Sequence, residues 1–222
     1  MLKQNMQFAV HAPTAGYEDL TQWVTDYTGT PGVNVASRNL VGRPYVWKVA
    51  TTSYMDGSLD GYVLQDEAPR LVSIFSGSEK ALWVQRYPNG RVFVFRSYVP
   101  DSAITADDGV QVLDVPLAST EGYLTAKTHT AESGTAIPNM PANAYLFYWI
   151  RETIPSLTQL NFDVEYAGTP GNDIQLPNQP FVPGLYLVPV GNTIPFPTAN
   201  ISIEYQGVAY DNEVEFAIGA LK

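Results

Sequence analysis

The feature that most constrains this chain is a succession of short, β-prone segments separated by turn residues. About a dozen segments rich in Val, Ile, Tyr, Phe and Thr follow one another at roughly 8–12-residue spacing, and Gly, Pro, Asn or Asp bounds each one. No alternation of strands with long helical patterns occurs, which argues against a parallel nucleotide-binding sheet. The pattern predicts an all-β fold, an antiparallel β-sandwich of the jelly-roll type.

One segment near the start has a different period. In residues 16–29, Leu20, Trp23, Val24 and Tyr27 stand at i, i+3, i+4 and i+7, and Gly29 follows them. This spacing puts the four side chains on one face of a helix. The sequence therefore predicts one short N-terminal helix beside the sandwich.

The chain is predicted to be a single β-rich unit over residues 1–222. Residues 128–143 are small, polar and Pro-containing, which is typical of a connecting segment. A subdivision into residues 1–128 and 144–222, with a loop at 129–143, is the alternative organisation.

Composition excludes several classes of function. The chain has 12 basic and 22 acidic residues and a net charge of −10, and residues 101–222 hold 3 basic and 14 acidic side chains. Because phosphate backbones are bound by clustered Lys and Arg, we expect no nucleic-acid partner. The absence of Cys excludes thiolate chemistry and cysteine-held metal sites. No apolar run approaches the ~18 residues of a membrane-spanning helix, so no membrane partner is expected.

A local pattern at residues 56–67 resembles the calcium loop of the EF-hand family over twelve residues. Asp56, Ser58, Asp60 and Glu67 occupy positions 1, 3, 5 and 12 of that loop, and Gly61 occupies position 6. The resemblance implies that their oxygens bind Ca²⁺, which prefers six to eight hard oxygen ligands. The flanking residues look like strands rather than helices, and a hairpin with two Asp-Gly turns is the alternative. No other cofactor is expected.

No recognisable catalytic motif is present, and the sequence predicts that the chain is not an enzyme. It contains no nucleophile elbow, zinc-binding helix, P-loop or dinucleotide fingerprint. Acidic residues do recur at i, i+2 spacing, about 7 Å apart on a strand, and a glycosidase could use such a pair. Because these acids alternate with apolar residues, solvated strand faces explain them better. They are Asp163 and Glu165, and Asp211, Glu213 and Glu215.

Taken together, the composition resembles that of structural proteins of bacteriophage particles. The chain is acidic and cysteine-free, only 15% of its residues are charged, and it contains 14 Tyr and 17 Pro. The resemblance implies a non-enzymatic virion component, such as a capsid decoration or cement protein or a tail component, assembled in the host cytoplasm. Its partners would be its own copies, in a homo-oligomer, and other virion proteins. The contact segments expected are residues 1–15, 128–143 and 168–183.

The alternative function is a carbohydrate- or receptor-binding module of a phage tail appendage. Such a module would present exposed aromatic rings to a glycan. The candidates are Trp23, Trp47, Trp83 and Trp149. A glycan-cleaving enzyme built on one of the acidic pairs is a third hypothesis.

Overall fold

The computed structural model describes residues 6–39, 46–64, 73–74, 80–98, 104–107, 110–119, 121–130, 135–138, 144–154, 159–166, 174–190, 198–205, 208–209 and 214–222. Over these ranges the prediction of an all-β, antiparallel fold is confirmed, because every strand pairing they contain is antiparallel. The strands form four sheets rather than the two of a simple sandwich.

Sheets A and B come from the first part of the chain. Sheet A contains β1 (Gln7–Ala12), β2 (Gly16–Asp19), β5 (Lys80–Arg86), β6 (Arg91–Tyr98) and β9 (Tyr123–Lys127), in the order β2-β1-β5-β6-β9. Sheet B contains β3 (Val24–Asn39), β4 (Val46–Leu64), β7 (Ile104–Asp107) and β8 (Val110–Ser119), in the order β3-β4-β8-β7.

Sheets C and D come from the second part of the chain. Sheet C contains β10 (His129–Thr130), β12 (Ala144–Ile150), β15 (Gly184–Pro189) and β18 (Val214–Ala220), in the order β10-β18-β12-β15. Sheet D contains β11 (Thr135–Pro138), β13 (Leu160–Tyr166), β14 (Ile174–Gln179) and β16 (Thr198–Tyr205), in the order β11-β16-β13-β14, with β17 (Val208–Ala209) on β16. Strands β10 and β11 lie within the predicted loop at 129–143. Independent folding of residues 1–128 and 144–222 stays a prediction.

In the described part of the chain, three hydrophobic cores stack the sheets in the order B, A, C, D. The first core joins Leu59 and Leu117 of sheet B to one face of sheet A. The second core lies between sheets A and C. The third joins the other face of sheet C to Leu160 and Phe162 of sheet D. Sheets A and C are therefore covered on both faces.

This layering explains the continuous apolar runs of the sequence. In β12, Phe147 and Trp149 face sheet A, while Tyr148 between them faces sheet D. In β5, Trp83 faces sheet B and Val84 faces sheet C. A strand with water on one face alternates apolar and polar residues, whereas a strand covered on both faces has no polar position to alternate.

The predicted N-terminal helix is wrong. Residues 16–29 contain β2, a turn at residues 21–23 and the first residues of β3. Leu20 and Trp23 are nonetheless buried, in the core between sheets A and B, and a single helical turn remains where the Val24 N–H donates to the Leu20 carbonyl at 3.2 Å. Three helical turns are marginal alone, whereas pairing β2 with β1 satisfies the backbone and buries the same side chains.

The turn at Pro88-Asn89-Gly90 joins β5 and β6 as an antiparallel hairpin. The contact segment expected at residues 1–15 is wrong for β1, which lies between β2 and β5 with Ala9 and Val10 fully buried. For residues 13–15 it stays a prediction, and residues 1–5 lie outside the described residues. Among the described residues, no helix has the length and apolar content to cross a membrane.

Candidate interaction surfaces

A buried carboxylate ties sheet A to sheet C. Glu215 on β18 faces sheet A and is 6% exposed. Its Oε1 accepts from Arg86 Nε at 2.5 Å, and its Oε2 accepts from Arg151 NH2 at 2.6 Å. The same Arg151 nitrogen donates to Gln7 Oε1 of β1 at 2.9 Å. A carboxylate can be buried here because two guanidinium groups replace its hydration.

Aromatic groups extend this connection. Trp149 of β12 donates its indole N–H to the Tyr17 hydroxyl of β2 at 2.9 Å. The Arg151 guanidinium lies 4.2 Å from the centre of the Trp149 ring, within the range of a cation–π contact. Burial raises the pKa of Tyr17 to about 12, so its hydroxyl stays protonated at neutral pH.

At the other end of β1, a histidine contacts an edge strand of sheet C. His11 Nδ1 lies 2.9 Å from the Leu185 carbonyl oxygen and 3.1 Å from the Leu185 nitrogen. The His11 ring also meets the edges of the Tyr17 and Tyr186 rings. These contacts fix β15 against sheet A and occupy one ring nitrogen, which leaves Nε2 as the other polar atom of the ring.

Beside His11 is a cleft of about 430 Å³ between the two sheets, which we call the seam cleft. Its basic side chains are His11, Lys80 and Arg96, and its apolar wall includes Leu82 and Leu185. None of the described residues that line it is acidic. Lys80 pairs with Glu121, which lies outside the lining, and this hydrogen bond raises the pKa of Lys80 above its ordinary value. The cleft is thus a positively charged site in an acidic protein.

A second surface is formed by the far half of the β3/β4 hairpin. Strand β8 pairs with residues 55–64 of β4, while β3 pairs with β4 over its whole described length. Residues 32–39 and 46–54 therefore form a two-stranded ribbon that reaches beyond the other described strands of sheet B, and we call it the hairpin arm. At about 3.4 Å per residue it is about 27 Å long.

The hairpin arm exposes apolar side chains. Val33 is 49% exposed and Val35 is 54% exposed. Ala36 and Lys48 are also exposed, and no arm residue with a described side chain belongs to any of the three cores. A two-stranded ribbon is marginally stable in water unless another surface packs on it. The arm thus has the composition of a contact element.

The predicted calcium ligands are placed differently from those of a loop. Asp56, Ser58 and Asp60 follow one another along β4, which runs without a turn through both Asp-Gly pairs, and Glu67 lies outside the described residues. The Ser58 hydroxyl lies 3.0 Å from the Thr28 hydroxyl across the strand pair. Across the described part of the chain, no group of three or more His, Asp or Glu side chains is placed to hold a metal. Calcium binding stays a prediction.

The structure tests some of the acidic residues and tryptophans that the sequence analysis proposed, and the others lie outside its described side chains. Glu215 is buried and ion-paired, so its expected place on a solvated face is wrong. Trp23, Trp83 and Trp149 are buried and cannot serve as exposed sugar platforms. The structure describes neither the side chains of Trp47, Asp163 and Glu165 nor residues 211 and 213.

Comparison with known proteins shows a distant likeness to a solved structure. No protein-family model matches the chain, and no curated protein matches it. Among solved structures, the chain is similar to the SPP1 Dit (gp 19.1) protein, described as a paradigm of the hub adsorption apparatus in phages that infect Gram-positive bacteria. The identity is 13% and the TM-score 0.38, over 96% of this chain and 98% of that one.

Sequence reasoning missed the seam cleft and the hairpin arm. The cleft combines residues from β1, β5, β6 and β15, which are far apart along the chain. The arm left no clear signal, because turn residues interrupt both strands that form it. Thr30-Pro31-Gly32 stands within β3, and the Asp-Gly pairs at 56–57 and 60–61 predict turns within β4.

Proposed function

We propose that this chain is a structural, non-enzymatic component of a bacteriophage particle, which acts through contacts with its own copies and with other virion proteins. More specifically, the chain would serve as a capsid decoration or cement protein or as a tail component. The phage context rests on composition: an acidic, cysteine-free chain with little charge and abundant Tyr and Pro.

The observation that carries this proposal is the hairpin arm. Its ribbon reaches beyond sheet B, and it exposes Val33 and Val35. Exposed apolar side chains on a ribbon whose two edges pair with no other described strand favour docking onto another protein surface. In a homo-oligomer each subunit would extend its arm onto a neighbour, so that every arm is covered.

The experiment is sedimentation velocity of the full chain at several concentrations, compared with Val33→Thr/Val35→Thr. Threonine keeps the β-branched shape but removes apolar surface. We expect the wild type to form a discrete oligomer and the double variant to weaken its association at least tenfold. Tyr62→Thr is the control, because Tyr62 is 58% exposed and lies outside the arm and outside the expected contact segments.

Binding to particles provides a second readout. The wild-type chain should sediment with phage particles or be found in them by mass spectrometry. A chain that stays monomeric at every concentration and ignores particles would rule out the proposed function.

A further inference from the structure

The seam cleft is lined by more cationic side chains than the described carboxylates neutralise, which favours the binding of an anionic partner. Lys80 and Arg96 lie close enough for the positive charge of Arg96 to oppose that of Lys80. Glu121 pairs with Lys80, but among the described residues no carboxylate pairs with Arg96. Adjacent cations that share one carboxylate attract further negative charge.

The shape of the cleft narrows the class of partner. Leu82 and Leu185 form part of its wall, and its volume of about 430 Å³ is within the range of a binding site for a few side chains. Apolar walls with basic groups at the rim suit a peptide segment that carries carboxylates beside apolar residues. A small inorganic anion would leave the leucines uncovered.

The chain itself supplies such a partner. Residues 1–100 hold 9 basic and 8 acidic side chains, whereas residues 101–222 hold 3 basic and 14 acidic ones. A second copy therefore carries an excess of carboxylates in its second half, of which Glu152 is exposed, and these can meet the basic cleft of the first. We infer that the seam cleft of one copy binds carboxylate side chains from the second half of a neighbouring copy.

This inference rests on the proposed function and adds a second contact to it. The described lining of the cleft contains no carboxylate, so the contact joins two different parts of the surface and is head-to-tail. Repeated head-to-tail contacts close into a ring or continue as a filament. Electrostatic complementarity also sets the register between subunits, which an apolar arm alone specifies poorly.

The test compares two double variants that change the net charge equally. Lys80→Gln/Arg96→Gln removes two cations of the cleft. Arg91→Gln/Lys127→Gln removes an exposed pair, in register across β6 and β9, on the same sheet but outside the cleft. Sedimentation velocity should show at least a tenfold weaker association for the cleft variant and less than a threefold change for the control.

Salt dependence and a peptide probe complete the experiment. Association of the wild type should weaken as NaCl rises from about 50 to about 500 mM, since added salt screens charges. A hexaglutamate peptide should bind the wild type and the control variant at low salt but not the cleft variant. Circular dichroism checks that both variants are folded.

The outcomes separate this inference from the proposed function. If the wild type assembles but the cleft variant assembles equally well, or if both variants weaken alike, the cleft does not hold a neighbour. If the wild type is monomeric and ignores particles, yet hexaglutamate binds only when the cleft is intact, the proposed function fails while the carboxylate site stands. Binding of an oligouronate in place of hexaglutamate would assign the cleft to an acidic glycan and overturn the inference.

Discussion

Arg86 of β5 and Glu215 of β18 form an ion pair across the core between sheets A and C, with Nε 2.5 Å from Oε1. The carboxylate is buried, whereas the guanidinium is partly exposed. Such a pair stabilises little by comparison with apolar packing, but the loss of one partner leaves the other desolvated without compensation. The pair therefore fixes how the two central sheets lie against each other.

Replacing Glu215 should strongly destabilise the protein. Glu215→Ala removes the common partner of Arg86 and Arg151, and we expect a loss of about 3 kcal/mol in the free energy of unfolding. Urea denaturation measures it. Glu152→Ala, an exposed carboxylate just after β12, should change stability by less than about 0.5 kcal/mol. Equal effects of the two substitutions would show that the buried pair has no special role.

Stability should fall at alkaline pH because several tyrosines are buried. Burial raises the pKa of Tyr17 to about 12, and it raises the pKa of Tyr27, Tyr148 and Tyr186 as well. The folded state holds these protons more tightly than the unfolded state, in which the pKa is about 10. The contribution to stability is therefore complete below pH 10 and is lost as the pH rises through the folded values. Absorbance of the phenolates, followed together with circular dichroism, should show ionisation coupled to unfolding.

Tyr27→Phe isolates one of these groups. The Tyr27 hydroxyl is buried and has no hydrogen-bond partner among the described residues. Its removal should move the midpoint of alkaline unfolding to higher pH without loss at neutral pH. Tyr62→Phe, at a residue that is 58% exposed, should leave the midpoint unchanged. A lower midpoint for Tyr27→Phe would contradict the proposed cause.

Replacement by alanine should destabilise the protein by different amounts at Gly16 and Gly122, although the two residues have similar φ angles. Gly16 has φ = +88° with open space where a Cβ would lie, whereas a Cβ on Gly122, at φ = +85°, would lie 2.2 Å from the Lys222 carbonyl oxygen. Gly16→Ala should cost about 1–2 kcal/mol, the strain of a left-handed conformation. Gly122→Ala should cost about 1–3 kcal/mol more, because the C-terminal backbone must move. Thermal unfolding of both variants checks the difference, and hydrogen exchange at Lys222, whose N–H donates to the Tyr123 carbonyl, locates it.

Gln85 offers a stabilising substitution. Its side chain is buried on the face of β5 toward sheet B, and neither of its polar atoms has a hydrogen-bond partner among the described residues. Gln85→Met removes uncompensated polar atoms and should stabilise the protein by about 1 kcal/mol. Gln22→Met, at an exposed position, should have almost no effect. A destabilised Gln85→Met variant in urea denaturation would indicate a partner for Gln85, such as a buried water.

The effect of calcium binding on the melting temperature can be distinguished from the effect of repulsion between two neighbouring carboxylates. Asp26 and Asp60 face each other directly on β3 and β4, and like charges in such a pair destabilise a sheet by about 0.2–1 kcal/mol. In EDTA, both Asp26→Asn and Asp60→Asn should therefore melt at a higher temperature than the wild type. Calcium binding by Asp60 requires that CaCl₂ raise the melting temperature of the wild type and of Asp26→Asn, but not that of Asp60→Asn. An equal response of all three proteins would exclude Asp60 as a ligand.

The helix prediction failed because hydrophobic periodicity within a segment determines secondary structure less strongly than the strands that pair with the segment. The spacing of Leu20, Trp23 and Val24 does mark a buried stripe, and two of these residues lie deep in a core. Helical spacing and a turn between strands can bury the same side chains. Which one forms depends on whether β1 is available to pair with residues 16–19, and periodicity contains no information on that pairing.

Glu215 shows that the local sequence also fails to predict whether a charged side chain is exposed or buried. A carboxylate that alternates with Val214 and Phe216 predicts a solvated strand face. Here the other face of the strand meets sheet A, where Arg86 and Arg151 supply the compensating charge. Arg86 and Arg151 lie 129 and 64 residues away along the chain, so no local sequence pattern could predict these ion pairs.

The sequence by itself determined that this protein is all-β and antiparallel, because β-branched and aromatic segments between turn residues have few other ways to satisfy their backbone. It also determined where the acidic charge is concentrated. Only the tertiary structure decided that four sheets stack, that β5 and β12 are covered on both faces, and that the hairpin arm and the seam cleft exist. Those features depend on pairings and packing between residues distant in the chain, and such contacts are selected by the burial of whole faces rather than by any short stretch of residues.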